Sequence, residues 1–473
     1  MTPSLAELRR ARPRRRRVRR GERGVALIMV ISALAILYVL AQQTRQDVEL
    51  HSAAAAVARD QVIAEYQAKS VINLARLLLH AEPTIRRALT PVLGPMMAIM
   101  GRGLQVPQVP IWEQADLLLG AFRSREGGQS FARAAGVSFE RARGLGALTG
   151  VSPVVIVDED SKINVNGFDR GPHIARRVAQ SLLGLFSNPR LDPYFTTRDP
   201  DGQFSDRVTV VGAIVDYADS DINAFDVQAL LSTAVGATAM APEDSFYSFL
   251  RPAYIRRNAP YDSVQELRLV RGLGDDDLWQ TAVDPDPSNP RRRTLTVWGQ
   301  GAVNVNTANA QTVLALICAF APTSPQCTDP SAASAFITGL TLIQSFTTSM
   351  GIPVFTTPRD FVQTVQGRPP FGPMLAALGI QPFQITGNQL EQAVTTESKV
   401  FSIFAEANVG HAHVRIHAVV DMRPQPGIPS AFLNASTGAL VRPQPAGTTV
   451  VTTSTGSAAI VTPGGTLLYW REE

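Results

Sequence analysis

The sequence predicts an α+β protein in which a long N-terminal helix lies on an antiparallel sheet and a mostly helical domain is inserted into the chain. The first observation is a stretch from residue 25 to residue 82 that contains neither Gly nor Pro and is rich in good helix formers. The second is the apolar–polar alternation from Val409 to Val420, which has the two-residue period of a strand. The third is the helical spacing of apolar residues from Pro172 to Phe186.

The beginning of the long helix has the composition of a membrane span. Residues 25–41 carry no charge, and at about 1.5 Å per residue they form roughly 25 Å of apolar helix, the short end of what crosses a bilayer. From Gln42 onward, polar and apolar residues mix so that one face is apolar and the other polar. We expect Pro83 to end this helix.

Arginines dominate the segment before the apolar stretch. Ten arginines and two glutamates precede residue 25, and such a basic block stays in the cytoplasm and directs the rest of the chain to the other side of the membrane. Three kinds of N-terminus fit this pattern. They are a signal peptide cut after Ala41, an uncut signal anchor, and a leader cut between Gly24 and Val25.

Length, charge and cysteine content limit the possible functions. A chain of 473 residues allows two or three domains. Residues 25–473 have 34 basic and 38 acidic side chains and a net charge of −4, which argues against a nucleic-acid-binding function. Cys318 and Cys327 are close in the sequence, so a disulfide is expected outside the cytoplasm, with two unrelated thiols as the alternative.

The remaining chain divides into alternating sheet and helix segments. Two hairpins are expected, Val154–Val157 with Lys162–Asn166 around a solvated turn at Asp158–Ser161, and a second between Thr294 and Val305. The segment VNVNTANAQTVLAL, which begins at Val303 in the last strand of the second hairpin, resembles the earlier segment KINVNGF. The predicted segments are a basic cytoplasmic leader (1–24), the N-terminal helix (25–82), a first αβ part (83–170), a helical insertion (171–293), and a second αβ part with C-terminal strands (294–473).

An acidic loop after residue 215 is the best candidate for a metal site. Asp219, Asp221 and Asn223 offer oxygens at alternate positions, and Ca²⁺ takes several hard oxygen ligands at about 2.3–2.6 Å. The loop is not an EF-hand, because Ala224 and Leu230 stand where that motif needs Gly and a bidentate Glu. Spacing alone leaves a calcium site and an ordinary solvated loop both open.

Several motifs resemble those of the K-type minor pseudopilins of type II secretion systems. They are RGVALIMVISALAIL at residues 23–37, IVDYADSD at 214–221, APYDSVQELRLVRGLGDDDL at 259–278, VNVNTA at 303–308 and the C-terminal YWRE. Most pseudopilins have Glu as the fifth mature residue, whereas this chain has Met29 and the K-type subunits also lack the acid. A carboxylate among apolar helices needs a charge partner, and a subunit that starts a filament has no earlier neighbour to supply one.

This resemblance implies a fold, a location and a set of site residues. It implies a pilin-like helix and sheet with a SAM-like helical insertion. It also implies that prepilin peptidase cleaves the chain between Gly24 and Val25 and methylates it. The mature protein would then be a single-pass inner-membrane protein with its bulk in the periplasm. The resemblance also implies a place at the tip of the pseudopilus with other minor pseudopilins, and contact with the inner-membrane secretion platform. The implied structural calcium ligands are Asp216, Asp219, Asp221, Glu243 and Asp244, although Ala241-Pro242 replaces the Gly-Ala usual in the family.

Two other classes of function stay open. One is a minor pilin of a type IV pilus or DNA-uptake system, and the other is a periplasmic calcium-dependent binding protein. Nucleophile elbows, zinc-protease motifs and phosphate-binding Gly loops do not occur in the sequence. We therefore expect a structural protein rather than an enzyme.

Overall fold

The computed structural model describes most of the chain between Arg20 and Glu472. The described residues are 20–99, 106–120, 129, 154–198, 202, 204–219, 224–232, 245–350, 353–369, 371–423, 449–452, 458–461 and 465–472. They belong to two compact units. The first is the chain up to Ala64 with Val409–Ala412, and the second is Glu65–Asn408 with His413–Glu473.

Helices and strands combine in an α+β arrangement, which confirms the predicted fold class. The α-helices are α1 Arg20–Ile99, α2 Ala115–Gly120, α3 Pro172–Phe186, α4 Asp192–Thr196, α5 Arg207–Ala218, α6 Val227–Ser232, α7 Ser245–Ser248, α8 Asp276–Ala282, α9 Ala310–Phe320, α10 Pro325–Thr328, α11 Pro330–Met350, α12 Pro358–Val365, α13 Gly372–Ala377 and α14 Gln389–Ala393. The strands are β1 Val155–Asp158, β2 Ile163–Asn164, β3 Leu295–Thr296, β4 Val303–Asn304, β5 Val394–Thr395, β6 Val400–Val409, β7 Ala412–Asp421, β8 Thr449–Thr452, β9 Ala458–Val461 and β10 Thr466–Glu472. Short 3₁₀ turns occupy Ile111–Gln114, Glu159–Ser161, Val165–Arg170, Pro189–Leu191, Val264–Leu269 and Pro290–Arg292.

The longest helix, α1, continues to Ile99, so its predicted end at Pro83 is wrong. A proline inside a helix costs about 3 kcal/mol, because one hydrogen bond is missing and the ring clashes with the preceding turn. Contacts within the second compact unit offset this cost at Pro83. Glu82 is buried, and Arg86 lies 3.5 Å from the Glu82 carboxylate and 2.7 Å from that of Glu397.

A four-stranded sheet follows the order β1–β6–β7–β10, with β1 antiparallel to β6 and β10 antiparallel to β7. The predicted alternation in β7 holds from His413 to Ala418, where Val414, Ile416 and Ala418 are buried. It does not continue to the end of the strand, because Val419, Val420 and Asp421 are all buried. The C-terminal TLLYWRE segment forms β10 and closes one side of the sheet. Within the second unit, α1 is tied to this strand by the Lys69–Glu472 ion pair at 3.0 Å.

Neither predicted hairpin forms. After β1 has paired with β6, the chain turns away and β2 pairs in parallel with β3, while β4 pairs in parallel with β5. The first hairpin does not form because the segment expected to be its exposed turn, Asp158–Ser161, is buried. Asp158, Glu159 and Asp160 are buried, and their carboxylates bind distant segments instead of water.

Residues 159–399 leave the sheet after β1 and return to it at β6, and we call them the helical part. The helical part has its own apolar core, whose buried residues run from Ile163 to Val394. The core of the helical part therefore continues past residue 293, the predicted end of the insertion. The short strands after that residue belong to this core and are not part of the four-stranded sheet.

The helical part contains two copies of one arrangement. Asn166, after β2, donates to the carbonyl oxygen of Tyr261 at 2.8 Å and accepts from the Tyr261 amide at 2.9 Å. Asn306, after β4, makes the same two bonds to Phe355 at 2.9 and 2.8 Å. The strands are followed by α3 and α9 respectively. The sequence echo between the two segments thus corresponds to a structural duplication.

Candidate functional site

The N-terminal part of α1 is long and apolar enough to cross a membrane. The candidate span lies within Gly24–Pro91, and its most apolar window has a mean hydropathy of 2.7 with none of its residues buried. The large apolar side chains from Val25 to Leu40 are each more than half exposed. An apolar surface of this extent is unfavourable in water and requires lipid or other apolar helices around it.

The two predicted processing residues lie in the first turns of α1. Around Gly24, no heavy atom comes within 4 Å of the place where a Cβ would be. Val25 follows directly, with a side chain that is 54% exposed. Met29, the fifth residue counted from Val25, is 67% exposed. The Met29 side chain is therefore open to lipid or to a neighbouring helix.

The acidic loop begins at the C-terminal end of α5. Asp206 caps the start of this helix by accepting from the amide of Thr209, and Asp216 and Asp219 lie at its other end. The Asp216 carboxylate accepts a hydrogen bond from the amide of Phe225 at 2.6 Å. Of the predicted calcium ligands, Asp216 and Asp219 are the two within the described residues, and both lie at this end of the helix.

A buried arginine occupies the same end of the helix. The side chain of Arg256 is fully buried, and its guanidinium lies 3.4 Å from the Asp219 carboxylate and donates to the carbonyl oxygen of Asp216. A fixed positive charge at this distance opposes a cation on Asp219. The described part of the loop does not fit a calcium ion by itself.

The remaining predicted ligands, Asp221, Glu243 and Asp244, lie outside the described residues. Within the ranges that the structure describes, no group of three or more His, Cys, Asp or Glu side chains is close enough to hold a metal ion.

The most unusual polar site of the described chain was not recognised from the sequence. The supposed solvated turn after β1 is buried, and the Asp158 carboxylate accepts hydrogen bonds from the Asp160 amide at 2.9 Å and from the hydroxyls of Thr307 and Ser398. Burial, together with the nearby charge of Asp160, raises the pKa of Asp158 to about 7.

The carboxylate of Asp160 is held by backbone amides. One oxygen accepts from the amide of Gln300 at 2.8 Å, and the other accepts from the amides of Lys399 and Val400 at 2.8 and 3.1 Å. Burial raises the pKa of Asp160, although these amide bonds act in the opposite direction.

Glu159, between the two aspartates, forms a buried ion pair. Both of its carboxylate oxygens lie 3.1 Å from the Lys162 ammonium, and one also accepts from the hydroxyl of Thr296. Burial opposes ionisation of Glu159, but Lys162 and the hydroxyls of Ser402 and Thr296 together lower its pKa. Of the three carboxylates, Glu159 is thus the one whose surroundings favour the charged form.

The local sequence does not reveal the burial of this segment. DEDSK lies between two apolar runs, VVIV and INV, and its Asp and Ser residues are types that exposed turns also use. Gly299, which packs against Glu159 and Asp160, has a φ of +110°. A Cβ on Gly299 would lie 2.9 Å from an Asp160 carboxylate oxygen, so the close approach favours glycine.

A disulfide joins Cys318 in α9 to Cys327 in α10, with 5.6 Å between the Cα atoms. Both residues are buried in the core of the helical part. A bond of this kind persists in oxidising compartments such as the periplasm.

Comparisons with known proteins give a distant structural match. No protein-family model matches the chain, and no curated protein does so either. Among solved structures, the crystal structure of the GspK-GspI-GspJ complex from the enterotoxigenic Escherichia coli type 2 secretion system matches with 14% sequence identity and a TM-score of 0.36. The match covers 68% of this chain and 79% of that chain.

Proposed function

We propose that this chain is a minor pseudopilin of a type II secretion system, similar to the K-type subunits. In this proposal a prepilin peptidase cuts between Gly24 and Val25, residues 25–41 anchor the protein in the inner membrane, and the bulk lies in the periplasm. The protein catalyses no reaction, and its partners are other minor pseudopilins and the secretion platform. The motifs quoted above support the assignment to this family.

The observation that carries the proposal is the exposed apolar segment at the start of α1. It follows an arginine-rich stretch, and the helix continues without interruption past Ala41 to Ile99. A helix that is both membrane anchor and part of the periplasmic domain suits a filament subunit. A removable signal peptide would instead be separated from the domain at Ala41.

Sequencing of the mature N-terminus tests this proposal. We expect Val25 as the first residue when the full chain is expressed in a Gram-negative host with an intact type II system. Gly24→Glu is expected to abolish cleavage, whereas Ala41→Glu, the matched control, leaves it unchanged. A mature chain that begins at Gln42, with the opposite response of the two variants, would overturn the pseudopilin assignment.

Within this function, we place the chain at the tip of the pseudopilus. The helical part is inserted between neighbouring strands of the sheet and has its own core. Copies of such a bulky subunit do not stack repeatedly within a thin fibre. An epitope inserted at the exposed Ser288, in the 286–289 turn of the helical part, should be labelled at one end of isolated pseudopili. Label distributed along the shaft would contradict the tip position.

A structural calcium ion at the acidic loop is a separate part of the proposal. Asp216 and Asp219 would supply two of its ligands, together with Asp221, Glu243 and Asp244. We expect a chelator to lower the melting temperature of the full chain, and Asp219→Asn to remove this response. Asn retains an oxygen that can accept from Arg256, so the variant removes the charge while keeping the hydrogen bond.

The alternative role of Asp219 is to neutralise Arg256 without any metal. In that case Asp219→Asn changes the melting temperature equally with calcium and with chelator, and the wild type does not respond to chelator. This outcome would remove calcium from the proposal. Asp192→Asn, at a carboxylate that is 58% exposed and pairs with Arg207, is the matched control.

A further inference from the structure

The chain crosses between the four-stranded sheet and the helical part at two places, and the two crossings meet. The outgoing crossing is the segment from Asp158 to Lys162, and the returning crossing is the segment from Ser398 to Val400. Asp158 accepts from the Ser398 hydroxyl, and Asp160 accepts from the amides of Lys399 and Val400. The two aspartates therefore fasten the entry of the helical part to its exit.

The same two carboxylates also bind the interior of the helical part. Asp158 accepts from the Thr307 hydroxyl, which lies just before α9, and Asp160 accepts from the Gln300 amide, which lies between β3 and β4. The Ser398 hydroxyl in turn accepts from the Asn304 side-chain amide at 2.6 Å. One hydrogen-bonded cluster thus joins the sheet, both crossings and the second copy of the repeated arrangement.

The nearby cations are paired with other carboxylates. In the described chain Lys162 is bonded to Glu159, Arg423 contacts Asp421 through its guanidinium at 2.5 Å, and the Lys399 ammonium lies 3.0 Å from Glu397. Arg423 exerts some attraction on Asp160 from the end of β7. Asp158 and Asp160 are 5% and 1% exposed, so two full negative charges at this place repel each other with little screening by water.

We propose that the Asp158–Asp160 cluster is a pH-dependent latch, which holds the helical part firmly to the sheet while Asp158 is protonated and loosens when both aspartates are ionised. Protonation turns the Asp158 carboxylate into a neutral group that still accepts from its neighbours and can donate to the hydroxyl of Thr307 or Ser398. Loss of the proton leaves the hydrogen-bond donors in place but adds a second buried charge.

The direction of the pH dependence follows from linkage. The closed latch raises the pKa of Asp158 from 3.8 to about 7, through burial and the charge of Asp160, while an opened, solvated latch restores the ordinary value. Stabilisation of the closed form is therefore complete below pH 3.8 and is lost as the pH rises through about 7. For a single group with these two pKa values, the opening equilibrium constant increases roughly 100-fold between pH 5 and pH 8.

Hydrogen exchange of the full chain in detergent micelles tests the latch. The readout is the protection factor of a peptide that covers Ser398–Val400, corrected for the intrinsic pH dependence of amide exchange. We expect it to fall roughly 100-fold from pH 5 to pH 8 in the wild type, while that of α9 in the same helical part changes less. A wild-type protection factor that is constant within threefold over this range would overturn the proposal.

Substitutions identify the groups responsible. Asp158→Asn keeps the size and one carbonyl acceptor but cannot ionise, so its protection factor at Ser398–Val400 should lose the pH dependence. Asp206→Asn removes the exposed carboxylate that caps α5 and should retain the wild-type profile. An unchanged profile in a folded Asp158→Asn protein would contradict the latch. If that variant fails to fold, Asp160→Asn replaces it, and the pH dependence should weaken, because Asp158 keeps its burial but loses the repulsion of the Asp160 charge. An unchanged profile in a folded Asp160→Asn protein would likewise contradict the latch.

Discussion

At the scale of single residues, Glu159 and Lys162 are an ion pair whose two members depend on each other. The side chains are 7% and 3% exposed, so both charges have been taken almost completely out of water. Desolvation of this kind is offset only by close contact and full hydrogen bonding, which Thr296 helps to complete. Removal of one partner would leave the other as an uncompensated buried charge.

We therefore expect Lys162→Met to lower the free energy of unfolding by about 3–5 kcal/mol. The methionine keeps most of the volume of the side chain, so the loss comes from the unpaired carboxylate of Glu159 rather than from a cavity. Chemical denaturation of the full chain in detergent measures the change. Arg268→Met removes a partner of Asp276, whose side chain is 86% exposed, and should cost no more than about 1 kcal/mol. Similar losses in both variants would contradict the structural role of the buried pair.

At the scale of helices and strands, the crossing of α3 and α9 organises the helical part. A Cβ on Gly184 in α3 would lie 2.1 Å from the carbonyl oxygen of Ala315 in α9, so the two backbones are in direct contact. Each helix begins shortly after one of the two asparagines of the repeated arrangement, Asn166 and Asn306. The close crossing therefore joins the two copies of the repeated arrangement.

Gly184→Ala should destabilise the protein, because the added methyl group forces α3 and α9 apart. We expect a loss of about 1–3 kcal/mol, the usual cost of overpacking a core. Gly120→Ala is the matched control, since a Cβ at that position meets no atom within 4 Å and alanine favours a helix. Thermal melting of both variants checks the expectation. An unchanged melting temperature for Gly184→Ala would contradict this packing of α3 against α9.

Helices and strands could be predicted from the sequence more reliably than the pairing between strands. Helix caps are local, because Asp275 and Asn309 accept from the amides of Leu278 and Thr312, each only three residues further along the chain. Strand pairing is not local. The hairpin after Asp158 was wrong because the residues that bind its acidic segment are more than a hundred positions away in the sequence. The end of α1 was wrong for the same reason, since the contacts of Arg86 that support Pro83 include distant Glu397.

For the candidate sites too, local features could be predicted from the sequence, whereas features that depend on distant residues could not. The apolar segment before Ala41 is a property of composition and could be recognised directly. The arginine beside Asp219 could not be foreseen, because Arg256 reaches the loop from another part of the fold. The burial of Asp158 likewise depends on Thr307 and Ser398, which no local pattern connects to it.

At the scale of the whole molecule, the basic N-terminal stretch and the disulfide favour opposite sides of a membrane. The basic stretch before Gly24 favours the cytoplasm, whereas the bond between Cys318 and Cys327 favours an oxidising compartment. The exposed apolar segment of α1 lies between them in the sequence. The position of Met29 within this segment then bears on how the proposed filament begins.

Met29→Glu tests whether the subunit starts the filament. A carboxylate inside the bilayer is costly without a charge partner, and a first subunit has no earlier neighbour whose amine could supply one. We expect pseudopilus assembly and secretion to fall roughly tenfold, equivalent to about 1.4 kcal/mol, while Met29→Leu remains at the wild-type level. Sheared filaments and secreted protein measure the two effects, with cleavage at Gly24 checked in parallel. Normal assembly by the Met29→Glu protein would mean that a neighbouring amine is available, and would place the subunit within the shaft.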